Sequence, residues 1–267
     1  MDRQELDREI TRLLRDEKKY HKRRSERKEP PWDKWLSDKL PDGLEEKLES
    51  AFVKAFALIF EKGTPLIEKT WDLPGLAQRY LLDDYALRRR GEVRDLRRFT
   101  RRAERAGLLH TAVSGAAGAG LGAVGVGLPD VALFTGLLLR NVYEIAMHCG
   151  YDYEGEREQA FLLRVIAGAF QGEGDWEETD RALNRFIAAG SYPVPKSVAE
   201  LTDGAARALS RALLLSKFVQ GVPVVGVLGG AADAVYMNRV SEYAALKYRR
   251  RFLADRKRDM QKEADIR

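Results

Sequence analysis

Apolar positions recur at helical spacing along almost the whole chain, and no stretch alternates as a strand would. Leu6, Ile10, Leu13 and Leu14 form a narrow stripe within residues 2–29, which are otherwise dense in both charges. That pattern predicts a solvated helix, broken by Pro30-Pro31. Trp32 and Trp35 offer anchors for a linker lying on the main body. Apolar residues at 44, 48, 52, 56 and 59 or 60 predict an amphipathic helix ending at Gly63, and Pro65 opens a further helical segment to about Leu87. From Gly91 a basic helix places Val93, Leu96 and Phe99 inward while Arg94, Arg97, Arg98, Arg101, Arg102 and Arg105 crowd its outer surface. Later segments predict a helix from about Glu156, a short one over 175–189 and a long one from Val198 to about Phe218. The fold class is therefore all-α, a multi-helix bundle.

Two uncharged, glycine-rich stretches interrupt this regularity. Between Thr111 and Pro129 there is no charged residue, and Gly118 and Gly122 make a GxxxG step. The second stretch, QGVPVVGVLGGAA from residue 220, carries another such step from Gly226 to Gly230. Glycine disfavours isolated helices, but small side chains let backbones approach closely, so both stretches predict tight hairpin packing. Each leads into a helix that opens with an Asp, Asp130 or Asp233, with Pro129 and Asp130 describing a helix start. A spanning helix needs roughly 20 apolar residues, whereas the apolar arm after Asp130 reaches only as far as Arg140, roughly 14 Å at the helical rise. A full two-pass hairpin is thus disfavoured, leaving a hairpin buried in protein or one dipping into a membrane interface. Gly120, Gly122 and Gly125 also spell GxGxxG, but nothing β-like precedes them, as a dinucleotide fold would require.

Composition refines this picture only slightly. A chain of 267 residues divides into a charged helical arm and linker (1–39), a helical domain (40–254) and a basic tail (255–267). The net charge of +5 permits anionic partners without demanding one. One cysteine, Cys149, excludes an internal disulfide framework and fits a reducing compartment, and the N-terminus has no apolar signal region. These features give a cytoplasmic expectation. Nucleic acid is disfavoured because no base-stacking aromatics alternate with the arginines.

Candidate chemistry is sparse. Arg140 and Glu144, and likewise Glu144 and His148, are four apart and can pair across a helical turn. With Asp130, Asp233, Arg239 and Glu242 they make a candidate polar cluster beside the glycine-rich elements. His148 and Cys149 point in different directions on a helix, so no metal site is expected, and no cofactor motif is present.

Three passages taken together resemble the EcsC family of bacteria: GLPDVALFTGLLLRNVYEIAMHCGYD, EREQAFLLRVI and KFVQGVPVVGVLGGAADAVYMNRVSEYAALKYRRRFL. The likeness spans roughly residues 44–253, with Cys149 where an aromatic often stands. The family has no settled activity, and its name comes from an operon that also encodes an ABC exporter, which implies work beside a membrane transporter. The first expectation is therefore a non-enzymatic protein at the inner face of the cell membrane. It would use Arg94 to Arg105 and the basic run from Lys247 for lipid charge, and the hairpins for lipid or a membrane protein such as an ABC transporter. A hydrolase built on the polar cluster, and a soluble scaffold capturing a protein through its N-terminal arm, are the alternatives.

Overall fold

The computed structural model describes residues 3–26, 43–63, 75, 78, 80–82, 128–172, 174–190, 196–219 and 231–265. Among them are seven α-helices, one π-helical turn and no strand, so the protein is an all-α bundle. Helix α1 is Arg3–Ser25 and α2 is Leu44–Leu58, which runs through the π turn Ile59–Gly63 to the glycine where the periodicity places its end. Next come α3 (Leu128–His148), α4 (Glu156–Phe170), α5 (Asp175–Ala189), α6 (Val198–Val219) and α7 (Ala231–Asp265). Both glycine-rich stretches, the basic helix from Gly91 and the tryptophans at 32 and 35 lie outside the described residues.

Helix starts and stops follow local chemistry. α3 is described from Leu128, so Pro129 and Asp130 lie within the helix and Asp130 does not cap it. α7 is described from Ala231, with Asp233 likewise inside it. The other end of α3 closes on Gly150 at φ 81, where the Gly150 N–H donates to the Met147 carbonyl at 2.9 Å and the Tyr151 N–H to Ala146 at 3.0 Å. This paired closure requires a left-handed residue. A side chain at 150 would also overlap the ring of Tyr80, so glycine is needed twice over.

The 35 residues of α7 form the spine of the molecule, about 52 Å long at the helical rise. Between Val240 and Arg249 every residue except Glu242 is buried. A helix buried all round needs neighbours on every side, and α1, α3, α4 and α5 supply them. α3 runs parallel to α7, with Phe134 against Tyr236 and Asn141 against Ser241. α4 runs antiparallel, pairing Phe170 with Tyr236 and Phe161 with Tyr248. α1 is antiparallel as well, with Glu17 on Lys247 and Arg23 on Glu242. Behind them, α6 packs on α4 and α2, and α2 packs on α3.

Two expectations change. The run from Lys247 does not face outward throughout: Lys247 and Arg249 are 1% and 3% exposed, whereas Lys257 and Lys262 farther along α7 are exposed. Each buried cation meets a carboxylate from another helix, which is what makes the interior accept it. Nor is α1 a solvated helix with a thin sticky stripe, because Leu6, Leu13 and Tyr20 belong to the common core and Glu9 and Glu17 are buried beside them.

The N-termini of α3 and α7 and the C-terminus of α4 meet at one end of the bundle, beside the late turns of α6. Tyr236 joins them: its ring touches Phe134 and Phe170, and its hydroxyl donates to the Ala212 carbonyl at 2.8 Å. The chain enters α3 and passes from α6 to α7 at this end, so both glycine-rich stretches attach here. Leu133 and Val235 flank these aromatics at 46% and 58% exposure. Leu58 is also exposed, next to Ile59, whose side chain reaches Gly136. Among the described residues, no helix is long and apolar enough to cross a membrane.

Candidate functional site

The densest polar constellation lies where α1, α5 and α7 meet. Lys247 places its Nζ 2.7 Å from Asp180, 2.9 Å from the Asn184 carbonyl oxygen and 3.2 Å from Glu17. An ammonium has three N–H groups, and all three are used. Asp180 in turn accepts from the Tyr243 hydroxyl at 2.8 Å and the Asn184 amide at 2.9 Å, with His21 Nε2 at 3.5 Å. Burial alone would raise the Asp180 carboxyl. The His21 hydrogen bond, the Lys247 charge and the Tyr243 hydroxyl outweigh burial and hold it well below its ordinary value. The other Glu17 oxygen accepts from Arg250.

Small size at one position permits this arrangement. Gly168 lies against Tyr243, where an added Cβ would come within 2.9 Å of the ring and 3.2 Å of Thr179. Tyr20 stacks on the same ring with centroids 5.5 Å apart. Burial pushes the Tyr243 phenol well up, and the Asp180 carboxylate pushes it further, so it stays a donor. Lys247, Asp180, Tyr243 and Asn184 satisfy one another, and with Glu17 they fasten three helices together.

A second constellation lies farther along α7. Glu158 of α4 accepts from the Tyr248 hydroxyl at 2.7 Å and from Arg251 at 2.6 Å. Burial raises the Glu158 carboxyl, while Arg251 and the two hydrogen bonds pull the other way. The Arg251 guanidinium lies 3.9 Å from the Tyr151 ring centroid and 4.7 Å from that of Phe161. Tyr151 donates to Asp255 at 2.6 Å. Cys149 sits nearby at 2% exposure, its thiol pushed up to about 12 by burial, which makes it inert packing and not a nucleophile.

Within the polar cluster read from the sequence, the described side chains meet more than one neighbouring helix. Glu144 and His148 do face each other across a turn of α3, 4.0 Å apart. Arg140 lies one turn earlier, its guanidinium lowered by burial and supported by Glu144. Arg239 and Glu242, by contrast, turn to other helices: Arg239 lies 5.9 Å from the Phe170 ring centroid in α4, and Glu242 accepts from Arg23 of α1. Asp130 and Asp233 are placed only by their backbone, and Arg94, Arg97, Arg98, Arg101, Arg102 and Arg105 lie outside the described residues. No group of three or more metal-ligating side chains occurs among the described residues. Sequence reasoning missed the polar seam between α3 and α7, where the fully buried Asn141 amide donates to the Ser241 hydroxyl. An Asn in the middle of an apolar helix face was the available signal.

A profile described as the EcsC protein family matches residues 4–253 of the 267. The chain belongs to the EcsC family. The match to EcsC begins within α1 and ends within α7, so it includes the N-terminal helix that the motif resemblance left outside. Glu17 and Lys247 of this EcsC protein therefore both fall inside the matched region, as do Glu158 and Arg251. No curated protein and no solved structure matches the chain.

Proposed function

We propose that this EcsC protein is a non-enzymatic helical protein that binds peripherally to the inner face of the cell membrane and assists a membrane process there, transport being the one that the family resemblance implies. The observation that carries the reading is the end of the bundle described above. Two uncharged glycine-rich stretches attach at the helix ends gathered around Tyr236, and Leu133 and Val235 stand exposed beside it. Apolar side chains beside helix N-termini suit shallow contact with a headgroup boundary, where helix ends find polar partners. The arginines from Arg94 to Arg105 precede the first of these stretches and would add attraction to anionic lipid.

Vesicle flotation tests this directly. The purified protein is expected to float with phosphatidylglycerol-containing vesicles at low salt, and the double substitution Leu133→Glu/Val235→Glu to reduce the floated fraction several-fold. Recovery of the unaltered protein wholly in the soluble fraction at low salt would contradict the reading.

A further inference from the structure

α1 sorts most of its charge by face, Asp7 and, just past its end, Glu26 being exposed acids. Glu9 and Glu17 are buried and Glu5 and Asp16 half-buried, whereas Arg8, Arg12, Arg15, Lys18, Lys19 and Lys22 are all exposed. At about 100° per residue, Arg8, Arg12, Arg15, Lys19 and Lys22 fall within about 40° of a single line along the helix, about 21 Å long at the helical rise. Two of the inner carboxylates are met from inside and do not offset this row: Glu17 by Lys247 and Arg250, and Asp16 by Arg249 at 3.7 Å. Along the row, Arg12 lies 4.0 Å from Glu9 and Lys22 lies 3.6 Å from Glu26. Among the described residues, Arg8, Arg15, Lys18 and Lys19 have no carboxylate within ion-pair distance.

We propose that the outer face of α1 is an electrostatic docking surface for anionic lipid headgroups, a contact additional to the apolar end of the bundle and resting on the same peripheral-membrane reading. A straight row of cations on one side of a surface helix matches a plane of negative charge. Long Arg and Lys side chains keep their heads among phosphates while their stems lie on the helix. Leu14, 48% exposed, lies about 120° around the helix from the row, on the other side of the outward face. Nucleic acid fits less well. The row has no exposed aromatic ring for a base to stack on, since Tyr20 is buried against Tyr243.

The test uses the intact protein with phosphatidylcholine vesicles, with and without phosphatidylglycerol, at low and high salt. It compares Arg8→Gln/Arg15→Gln/Lys19→Gln with Leu133→Glu/Val235→Glu. The three substituted side chains are exposed and unpaired, and an unchanged thermal melt verifies that the fold is kept. The triple substitution is expected to reduce partitioning onto the anionic vesicles by at least about tenfold and to remove most of its salt dependence. Unchanged partitioning of the triple variant, with loss in the Leu133/Val235 variant, would overturn the α1 surface and leave the membrane reading intact. If the unaltered protein binds neither vesicle, both fail. Loss of single-stranded DNA binding in the triple variant, with vesicle partitioning unchanged, would assign the row to nucleic acid and also overturn the proposal.

Discussion

Lys247 lies in the interior with two carboxylates and an amide oxygen around it, so truncating it should be far costlier than truncating an exposed lysine. Lys247→Met would leave Glu17 and Asp180 buried without their shared cation. Breaking one partner out of a buried pair costs about 3–5 kcal/mol, and denaturant unfolding of the variant should give a loss in that range. Asp180 makes the same cluster visible through pH. Its folded carboxyl is held below the unfolded value of 3.8, so its contribution to stability is fully present above that value and is lost as pH falls through the lower folded one. Asp180→Asn should therefore lower the melting temperature at neutral pH, and the difference from the unaltered protein should shrink below about pH 4. Glu158 acts in the opposite direction, because burial raises its carboxyl and protonation on acidification relieves part of that cost. The difference between variant and parent, not the parent's own acid profile, isolates Asp180. A difference independent of pH would mean that the carboxylate is not held by these partners.

At the scale of elements, α1 decides between a detachable arm and an integral helix. Leu6, Leu13 and Tyr20 are in the core and Glu17 reaches Lys247, so removing residues 1–26 exposes apolar surface and breaks the buried cluster together. The truncated chain should lose cooperative unfolding or melt well below the full chain, as circular dichroism would register, whereas a detachable arm would leave the melt unchanged. Several helix limits among the described residues were legible beforehand: α5 has the predicted span, α2 with its π turn ends at Gly63, and Gly150 closes α3. Periodicity and glycine placement are local signals, and these ends are decided locally. The inward turn of the acidic face of α1 and the burial of Lys247 and Arg249 were not legible, because a charged run ordinarily reads as solvated. What buries them is a match between two helices more than 200 residues apart in the chain, Glu17 with Lys247, and no local pattern contains it. The Glu144–His148 pair was read correctly from spacing, but the split between that pair and Arg239 with Glu242 depended on which neighbours α7 acquired.

For the whole molecule, charge and apolar surface are separated. The interior of the bundle holds paired ions around α7, while the outer row of α1 and the exposed leucine and valine beside Tyr236 remain turned outward. This separation, the buried ion pairs inside and the cationic and apolar side chains outside, underlies the proposed peripheral membrane role. Backbone hydrogen exchange in the presence and absence of anionic vesicles tests that arrangement most directly. A headgroup layer seated on that end would shield the backbone N–H groups near the described starts of α3 and α7 from exchange. The expected result is vesicle-dependent protection over 128–135 and 231–236, reversed by salt, with exchange in α5 and the middle of α7 unchanged. Unaltered exchange at both helix starts at low salt, or protection confined to the α2 and α6 layer, would contradict the membrane-facing role assigned to that end of the bundle.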